Sequence, residues 1–454
     1  MRVDLDKLPN DLAFLKQMVR EMAGALKDLQ QRNKHLEHQL ALLRRHQFGR
    51  RSEKVDSAQL LLAFAQLQGL EPPAPPPPPK KPASNGHGRK PLPEDLPRER
   101  VEHDVPPEGK QCGKCGAELE KIGEEVSRQL DYVPASFIVR EHVRAKYACK
   151  SCEETVVLAP LPPQPIEKGL PGPGLLAHVL VSKYADHLPL YRQEGIYRRQ
   201  GVELSRSTLC DWVRDCATLL GPIVRAMTRE LLASKKIHTD DTPVPVQDRL
   251  RAKRTRTGRL WVYLGDRDHP YTVYDYTPSR KRDGPVRFLG DYKGYLQADA
   301  FAGYDAIYAG KEVIEVACWA HARRKFYDAL TTDRERGHAA LAFIGQLYTV
   351  EREARERGLD TEARCALRNE RSWPVLESFR RWLDAQALAA LPQSPMGQAI
   401  GYTLSQWSAL CRYLDDGDLE IDNNAAEREL RPVAVGRKNW LFAGSDAPDL
   451  QHAV

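Results

Sequence analysis

The sequence predicts a multidomain α+β chain with a long N-terminal helix, a small cysteine-rich module, a helical region and an α/β domain interrupted by helices. Three observations predict it. Leucines recur on a seven-residue repeat before residue 48, and four cysteines stand in two CxxC pairs between residues 112 and 152. Short apolar strands from 237 to 318 then give way to helical periodicity from 330 to 410. With 454 residues the chain has room for two or three domains. No run of about 18 apolar residues marks a membrane span. The opening MRVDLDKLPN lacks the basic-then-apolar layout of a secretory signal. A cytoplasmic location with no membrane partner is therefore expected.

Residues 8–48 read as a coiled-coil dimerisation helix. Leu12, Val19, Leu26, Asn33 and Leu40 occupy a positions, and Leu15, Met22, Leu29, Leu36 and Leu43 occupy d positions. Asn33 at an a position would pair with its copy across a parallel homodimer, fixing register at some cost in stability. Arg32 would face Glu37 of the partner, and Asp11 would face Lys16. The alternative is one amphipathic helix packed on its own protein. Residues 70–95 follow as a Pro-rich linker, extended by Pro72, Pro73 and Pro75 through Pro79. A spacer or a proline-rich ligand for another protein fits this composition.

Residues 100–160 hold Cys112-x-x-Cys115 and Cys149-x-x-Cys152. Two such pairs suit a closed tetrahedral Zn²⁺ site of the ribbon type, which is structural because no ligand position stays open. The segment 116–148 is longer than the usual gap and leaves room for a hairpin between the knuckles. Chance or redox use is the competing reading. The other five cysteines, Cys210, Cys216, Cys318, Cys365 and Cys411, show no ligand spacing and are expected to be buried apolar residues.

Residues 165–232 read as helices, with a break at Gly201 and an N-cap at Ser205. Helix, glycine turn and a helix opening on Arg206-Ser207-Thr208 resemble a helix-turn-helix that sets those three residues against DNA, or an ordinary helical hairpin. The net charge of +6 is mild for a nucleic-acid binder, so clustering matters more than the sum. Basic residues bunch at Arg44, Arg45, Arg50, Arg51 and Lys54, and again at Arg249, Arg251, Lys253, Arg254, Arg256 and Arg259. Runs of this kind are either solvated loops or phosphate contacts.

Residues 235–445 form the α/β domain. Strands are expected at 237–242, 260–264, 271–276, 296–299 and 313–318, with a helix beginning near His321. Three adjacent strands followed by alternating helix and strand suggest a mixed sheet of the ribonuclease-H type. Apolar residues at helical spacing make 330–415 a helical insertion, and residues 419–428 read as one more helix. Asp240 and Asp299 fall where strands end, the place where sites gather in such sheets. A lone acid is a surface charge far more often than a catalyst.

The stretches HTDDTPVPV, GRLWVY, LQADAFAGYD, CWAHARRKF and LEIDNNAAERELRPVAVGRKNWLFAGS resemble the large transposase of the insertion-sequence-66 family. Upstream, FGRRSEK, GRKPLPEDLPRE and LPGPGLLAHVLVSKYADHLPLYRQ are similar as well. The resemblance implies a ribonuclease-H-like DDE enzyme that cuts and joins double-stranded DNA, both element ends and target. Its catalytic acids would be Asp240, Asp299 and Glu427, holding two Mg²⁺ or Mn²⁺ ions, with Asp241 the second choice of ligand. Two ions about 3.5–4 Å apart neutralise charge on the entering and leaving oxygens, and hard carboxylates suit Mg²⁺. Arg428, Arg431, Arg437 and Lys438 would hold phosphates beside the acids. The resemblance also implies binding of terminal inverted repeats, a homodimer or higher synaptic assembly, and accessory proteins from the same element. His321, in CWAHARRKF, is read either as a structural residue or as one near the acids. Relatives continue past the position of Ser445 with further helices, which raises the alternative of a truncated, inactive end-binding remnant that represses intact copies.

Overall fold

The computed structural model describes residues 12–48, 137–140, 146–148, 156–158, 163–167, 169–248, 255–310, 312–440 and 443–444. Every element below belongs to the unit made of Met1–Pro75 and Arg144–Val454. No helix among the described residues is long and apolar enough to cross a membrane. The Pro-rich segment 70–95, all four zinc-spaced cysteines and residues 249–254 of the second basic run lie outside the described residues.

Helix α1 (Leu12–Phe48) is unbroken through the described heptad region, and residues 8–11 of the expected helix lie outside the described residues. On the single chain Leu12, Val19, Met22, Leu26, Leu29, Leu36 and Leu40 are exposed, as is Asn33, while Leu15 is half-buried. The side chain of Leu43 lies outside the described residues. Strands β1 (Lys146–Ala148) and β2 (Val156–Leu158) pair antiparallel. They bracket the second CxxC pair in sequence, while most of 116–148, where a hairpin between the pairs is expected, lies outside the described residues.

Three helices follow: α2 (Pro173–Tyr184), α3 (Leu190–Arg199) and α4 (Arg206–Leu232). Gly201 turns the chain between α3 and α4 at φ +80, a conformation that strains any residue with a Cβ. Ser205 then caps α4, its side chain accepting from Thr208 N at 3.1 Å. Helix α4 is continuous for 27 residues. Its first half buries Leu209, Trp212, Val213 and Cys216. Its last turns add Val224, Met227, Leu231 and Leu232 to the core of the sheet. The helix thus ends at the expected boundary, 232–235, yet its last turns already belong to the α/β core.

The sheet has five strands, β3 (Lys236–Gln247), β4 (Thr255–Leu264), β5 (Thr272–Thr277), β6 (Gly294–Gln297) and β7 (Val313–Val316), in the order β5-β4-β3-β6-β7. The β3–β4 and β4–β5 pairs are antiparallel, whereas β3–β6 and β6–β7 are parallel. Leu260, Trp261, Val262 and Tyr263 on β4 are all buried, which requires cover on both faces. Trp261 and Tyr263 point into a core with Ile237, Val273, Leu296, Tyr304 and Leu289 of helix α5 (Asp283–Leu289). Val262 points the other way, onto Ala426 and Leu430. A short helix, α6 (Asp305–Tyr308), follows β6.

Helix α7 (Trp319–Ala329) starts directly behind β7, ahead of the expected His321. The insertion comprises α8 (Arg334–Glu356), α9 (Thr361–Ala389), α10 (Pro395–Ser405) and α11 (Trp407–Cys411). Asp333, Asp360 and Ser394 cap the first three, each side chain accepting a backbone N–H three residues on. Their apolar faces meet α7 around Trp319, Phe326, Phe343, Phe379 and Ile400, with Phe343 and Phe379 stacked at 4.9 Å. Arg368 is wholly buried here. It holds Glu351 through two bonds of 2.7 and 2.8 Å and donates to the carbonyls of Tyr413, Asp416 and Leu419.

Helix α12 (Asn424–Trp440) closes the fold against the α5-free face of β4. Residues 419–423 are not helical, contrary to the expectation drawn from 419–428. The local polar run Asp422-Asn423-Asn424 forms an Asx turn there, with Asn424 N donating to Asp422 Oδ1 at 3.1 Å. Cys216 and Cys318 are buried as expected, Cys365 and Cys411 are half-buried, and Cys210 is exposed. Cys210 lies on the outer side of α4, one residue past the buried Leu209, so helical phase turns it to solvent.

Candidate active site

Side chains alternate along a strand, so Asp240 and Asp241 must face opposite sides of β3. The register puts Asp240 opposite Val262 and Asp241 opposite Trp261. Asp240 thereby joins His238 on the face covered by α12. Asp241 joins the Trp261 face, where its side chain is 2% exposed. Arg259 donates to one of its oxygens at 2.9 Å and Arg280 to the other at 2.9 Å. A carboxylate enclosed by two guanidinium groups is committed to them, so the second-choice ligand Asp241 is an ion-pair residue in this structure.

Asp299 stands two residues beyond the end of β6. The end of that strand is fixed by the buried Gln297, whose Nε2 donates to the carbonyls of Glu420 and Asp422, while its Oε1 accepts from Glu420 N. Glu427 lies in the first turn of α12. Its Oε1 is 3.9 Å from His321 Nε2, and His321 Nδ1 is buried without a hydrogen-bond partner among the described residues. His321 therefore stands beside the third acid.

How α12 is held decides where Glu427 sits. On its β6 side, β3 pairs with that strand only over Lys236–His238. Beyond that point the segment around α12 supplies the partners. Asn423 Nδ2 donates to Thr239 O at 2.8 Å, and Arg437 donates to Thr242 Oγ1 at 2.6 Å and to Pro243 O at 2.7 Å. Ala443 exchanges two bonds of 2.8 Å with Pro245 O and Gln247 N. Asn423, fully buried, also accepts from His238 Nδ1 at 3.0 Å and donates its own N–H to Cys318 Sγ at 3.2 Å. Its carbonyl accepts from Glu427 N at 3.3 Å. Arg437, expected at a phosphate, is thus turned inward, because the edge of β3 needs donors that a Pro-containing strand and a helix backbone do not provide.

The electrostatics follow from this placement. Burial pushes the Asp240 carboxyl up to about 7, helped by the negative charges of Asp299, Asp241 and Glu427 and opposed by a hydrogen bond from Asp241 N. Among the described residues no cation pairs with Asp240. Burial, with the Lys236 charge, lowers His238 to about 4, so it is a neutral imidazole donating to Asn423. Burial raises the Cys318 thiol to about 12, which makes it an inert acceptor. No three His, Cys, Asp or Glu side chains among the described residues converge closely enough to hold one ion. The donor set nevertheless fits a divalent cation: hard carboxylate oxygens, half-buried, with a surplus of negative charge around Asp240.

Arg428, Arg431 and Lys438 are exposed along α12. On α4, Arg206 is exposed with Nε 3.7 Å from Glu194 Oε2, whereas the Ser207 and Thr208 hydroxyls lie 2.7 and 2.8 Å from Ser205 Oγ. Of the second basic run, Arg256 donates to Pro278 O and Arg259 to Asp241, both within the fold. Residues missed by sequence reasoning are Arg280, Gln297, His238 and Asn423. The last three lie inside LQAD, HTDD and DNN, and period-two alternation by itself puts His238 on the face of Asp240.

Residues 168–448 match the transposase IS66 family, residues 110–153 its zinc-finger binding domain, and residues 35–101 the segment described as transposase C of IS166 homeodomain. Three uncharacterized proteins of Sinorhizobium fredii are similar along most of the chain. The protein y4hP is 35% identical over 381 residues, 79% of this chain and 67% of its own length. The proteins y4jD and y4qI are each 33% identical and each cover 97% of this chain, spanning 87% and 88% of their own lengths. One match thus runs unbroken from the helices before the sheet to the far end of α12, and this chain belongs to the IS66 family of transposases.

Proposed function

We propose that the chain is a DDE transposase whose Asp240, Asp299 and Glu427 bind two divalent cations and catalyse DNA strand cleavage and strand transfer. The observation that carries this reading is the place of Asp240, a half-buried carboxylate on a strand of a mixed sheet, raised by burial and by the charges of three neighbouring acids, with no cation paired to it among the described residues. The strand order, with three antiparallel strands followed by two parallel ones, supports a ribonuclease-H-like catalytic domain. When bound, Mg²⁺ or Mn²⁺ lowers the pKa of the attacking water or 3′-hydroxyl and neutralises the leaving oxygen. The chain's own residues do the positioning. Gln297 fixes the strand end that carries Asp299, Asn423 and Arg437 set α12 against β3, and Arg428, Arg431 and Lys438 offer exposed charge to DNA phosphates.

The matched zinc-finger segment supports a structural Zn²⁺ on Cys112, Cys115, Cys149 and Cys152. The exposed heptad seam of α1 supports pairing of two copies through Leu15, Met22, Leu29, Asn33, Leu36 and Leu43. Helices α2–α4, with Arg206, Ser207 and Thr208 at the head of α4, are assigned to recognition of the element's ends. The test is cleavage and strand transfer on labelled DNA carrying the element's terminal repeat, with Mg²⁺ or Mn²⁺, in the parent and in Asp299→Asn. Metal-dependent products that vanish in the variant are expected. End-specific binding with no products from the parent would overturn the enzymatic reading.

A further inference from the structure

Arg280 lies between β5 and α5 and touches two of the acids, Asp241 and Asp299. Its Nε and Nη2 both lie 2.9 Å from Asp241 Oδ1, and Nη2 also reaches Asp299 Oδ2 at 3.4 Å. The guanidinium lies over the Phe301 ring, 4.1 Å from its centroid. Asp241 is already neutralised by Arg259 through its other oxygen. The trio Arg259, Arg280 and Asp241 therefore carries one net positive charge, and it faces the carboxylate of Asp299. Unlike the inward Asp241, the Arg280 side chain is 37% exposed.

Resting on the reading of Asp240, Asp299 and Glu427 as metal ligands, we propose that Arg280 is a phosphate-binding residue of this active site. It balances Asp299 in the free protein and is released to a DNA phosphodiester once a divalent cation takes that carboxylate. The three contacts are unequal in a way that suits the exchange. The Asp241 bonds are short, and the ring contact is independent of charge state at Asp299, so both persist when the longer Asp299 contact is lost. A divalent cation on Asp299 repels the guanidinium across a few ångströms. The N–H of Nη2 that leaves Asp299, together with Nη1, would then offer a planar pair of donors suited to two oxygens of a phosphate held by a cation on Asp299. Arg259 cannot do this, because its side chain is spent on Asp241 away from Asp299. Lysine could not stack and chelate at once.

The test uses the full chain and two readouts that need no turnover. Tb³⁺ is titrated into the metal-free protein, with luminescence sensitised by the neighbouring aromatic residues. Duplex DNA carrying the terminal repeat is bound in Ca²⁺ over a range of salt concentrations. Arg280→Ala is expected to tighten Tb³⁺ binding about five- to tenfold, because a competing cation is gone. It should also lower the salt slope of DNA binding by about one. Arg280→Lys keeps the charge and should bind Tb³⁺ like the parent, which separates charge from any disturbance of the loop. Arg280→Gln serves where the alanine variant does not fold. Tb³⁺ affinity unchanged or weakened in the neutral variants, or an unchanged salt slope, overturns the proposal. If Asp299→Asn binds Tb³⁺ as tightly as the parent, the metal-site reading beneath it fails as well.

Discussion

Asn423 offers the sharpest test of how Glu427 is held beside Asp240. Replacing it with alanine removes the acceptor of His238 Nδ1 and the donor to Thr239 O, at 3.0 and 2.8 Å, in a position with no solvent exposure. The backbone bonds to Cys318 and from Glu427 survive, because they use the N–H and carbonyl of residue 423. Two buried polar groups are thus stranded, each worth about 1–3 kcal/mol, so a loss of about 3 kcal/mol is expected. At about 2–4 °C per kcal/mol for a domain of this size, the thermal midpoint should fall by about 6–12 °C. Arg437→Ala, which strips the donors to Thr242 Oγ1 and Pro243 O at the other end of the helix, should destabilise by about 1–3 kcal/mol. Arg431→Ala, on the exposed side, should leave stability within about 0.5 kcal/mol. The assay is thermal and urea unfolding followed by tryptophan fluorescence. In the folded Asn423→Ala variant, cleavage should fall more than end binding. A stability loss under about 1 kcal/mol with unchanged cleavage would refute the idea that these bonds register α12 on β3.

Two further outcomes follow from charge. Asp240 is raised from 3.8 to about 7 in the folded protein, so the native state binds the extra proton and unfolding releases it. Its contribution is therefore most favourable below about pH 4 and declines as pH rises toward 7. The metal-free parent should lose about 2–3 kcal/mol between pH 5 and 7 relative to Asp240→Asn, and saturating Mg²⁺ should abolish the difference in slope. An identical pH dependence in parent and variant would show that Asp240 carries no such strain. The second outcome concerns the buried pair in the insertion. Arg368→Met leaves Glu351 buried and unpaired and should destabilise by about 3–5 kcal/mol, whereas Arg368→Met combined with Glu351→Met should recover much of that loss. Additive losses in the double variant would show that the two side chains are not coupled.

Much of the architecture is legible in the sequence because it is carried by local signals. Heptad spacing marks the long first helix, 3.6-residue periodicity marks the insertion, and the capping residue Ser205 marks the start of α4. The acids Asp240, Asp299 and Glu427 follow from the resemblance; among the described residues no three acids converge on one ion position, although the charges of Asp299 and Glu427 reach Asp240. Element ends were less legible. β3 extends five residues past the expected Thr242, because its second half is paired by β4 on one side and by Arg437 and Ala443 on the other.

What the sequence determined by itself was composition, periodicity and motif, which depend on residues near one another in the chain. Only the tertiary structure gave Asp240 and Asp241 different surroundings, since adjacent acids take opposite faces of β3 and Arg259 and Arg280 enclose Asp241 alone. It also decided that Arg437 is a strut for β3 and that Arg280 stands at Asp299. Those roles depend on which groups meet across long separations of sequence, and on buried backbone groups that must find donors wherever the fold brings them.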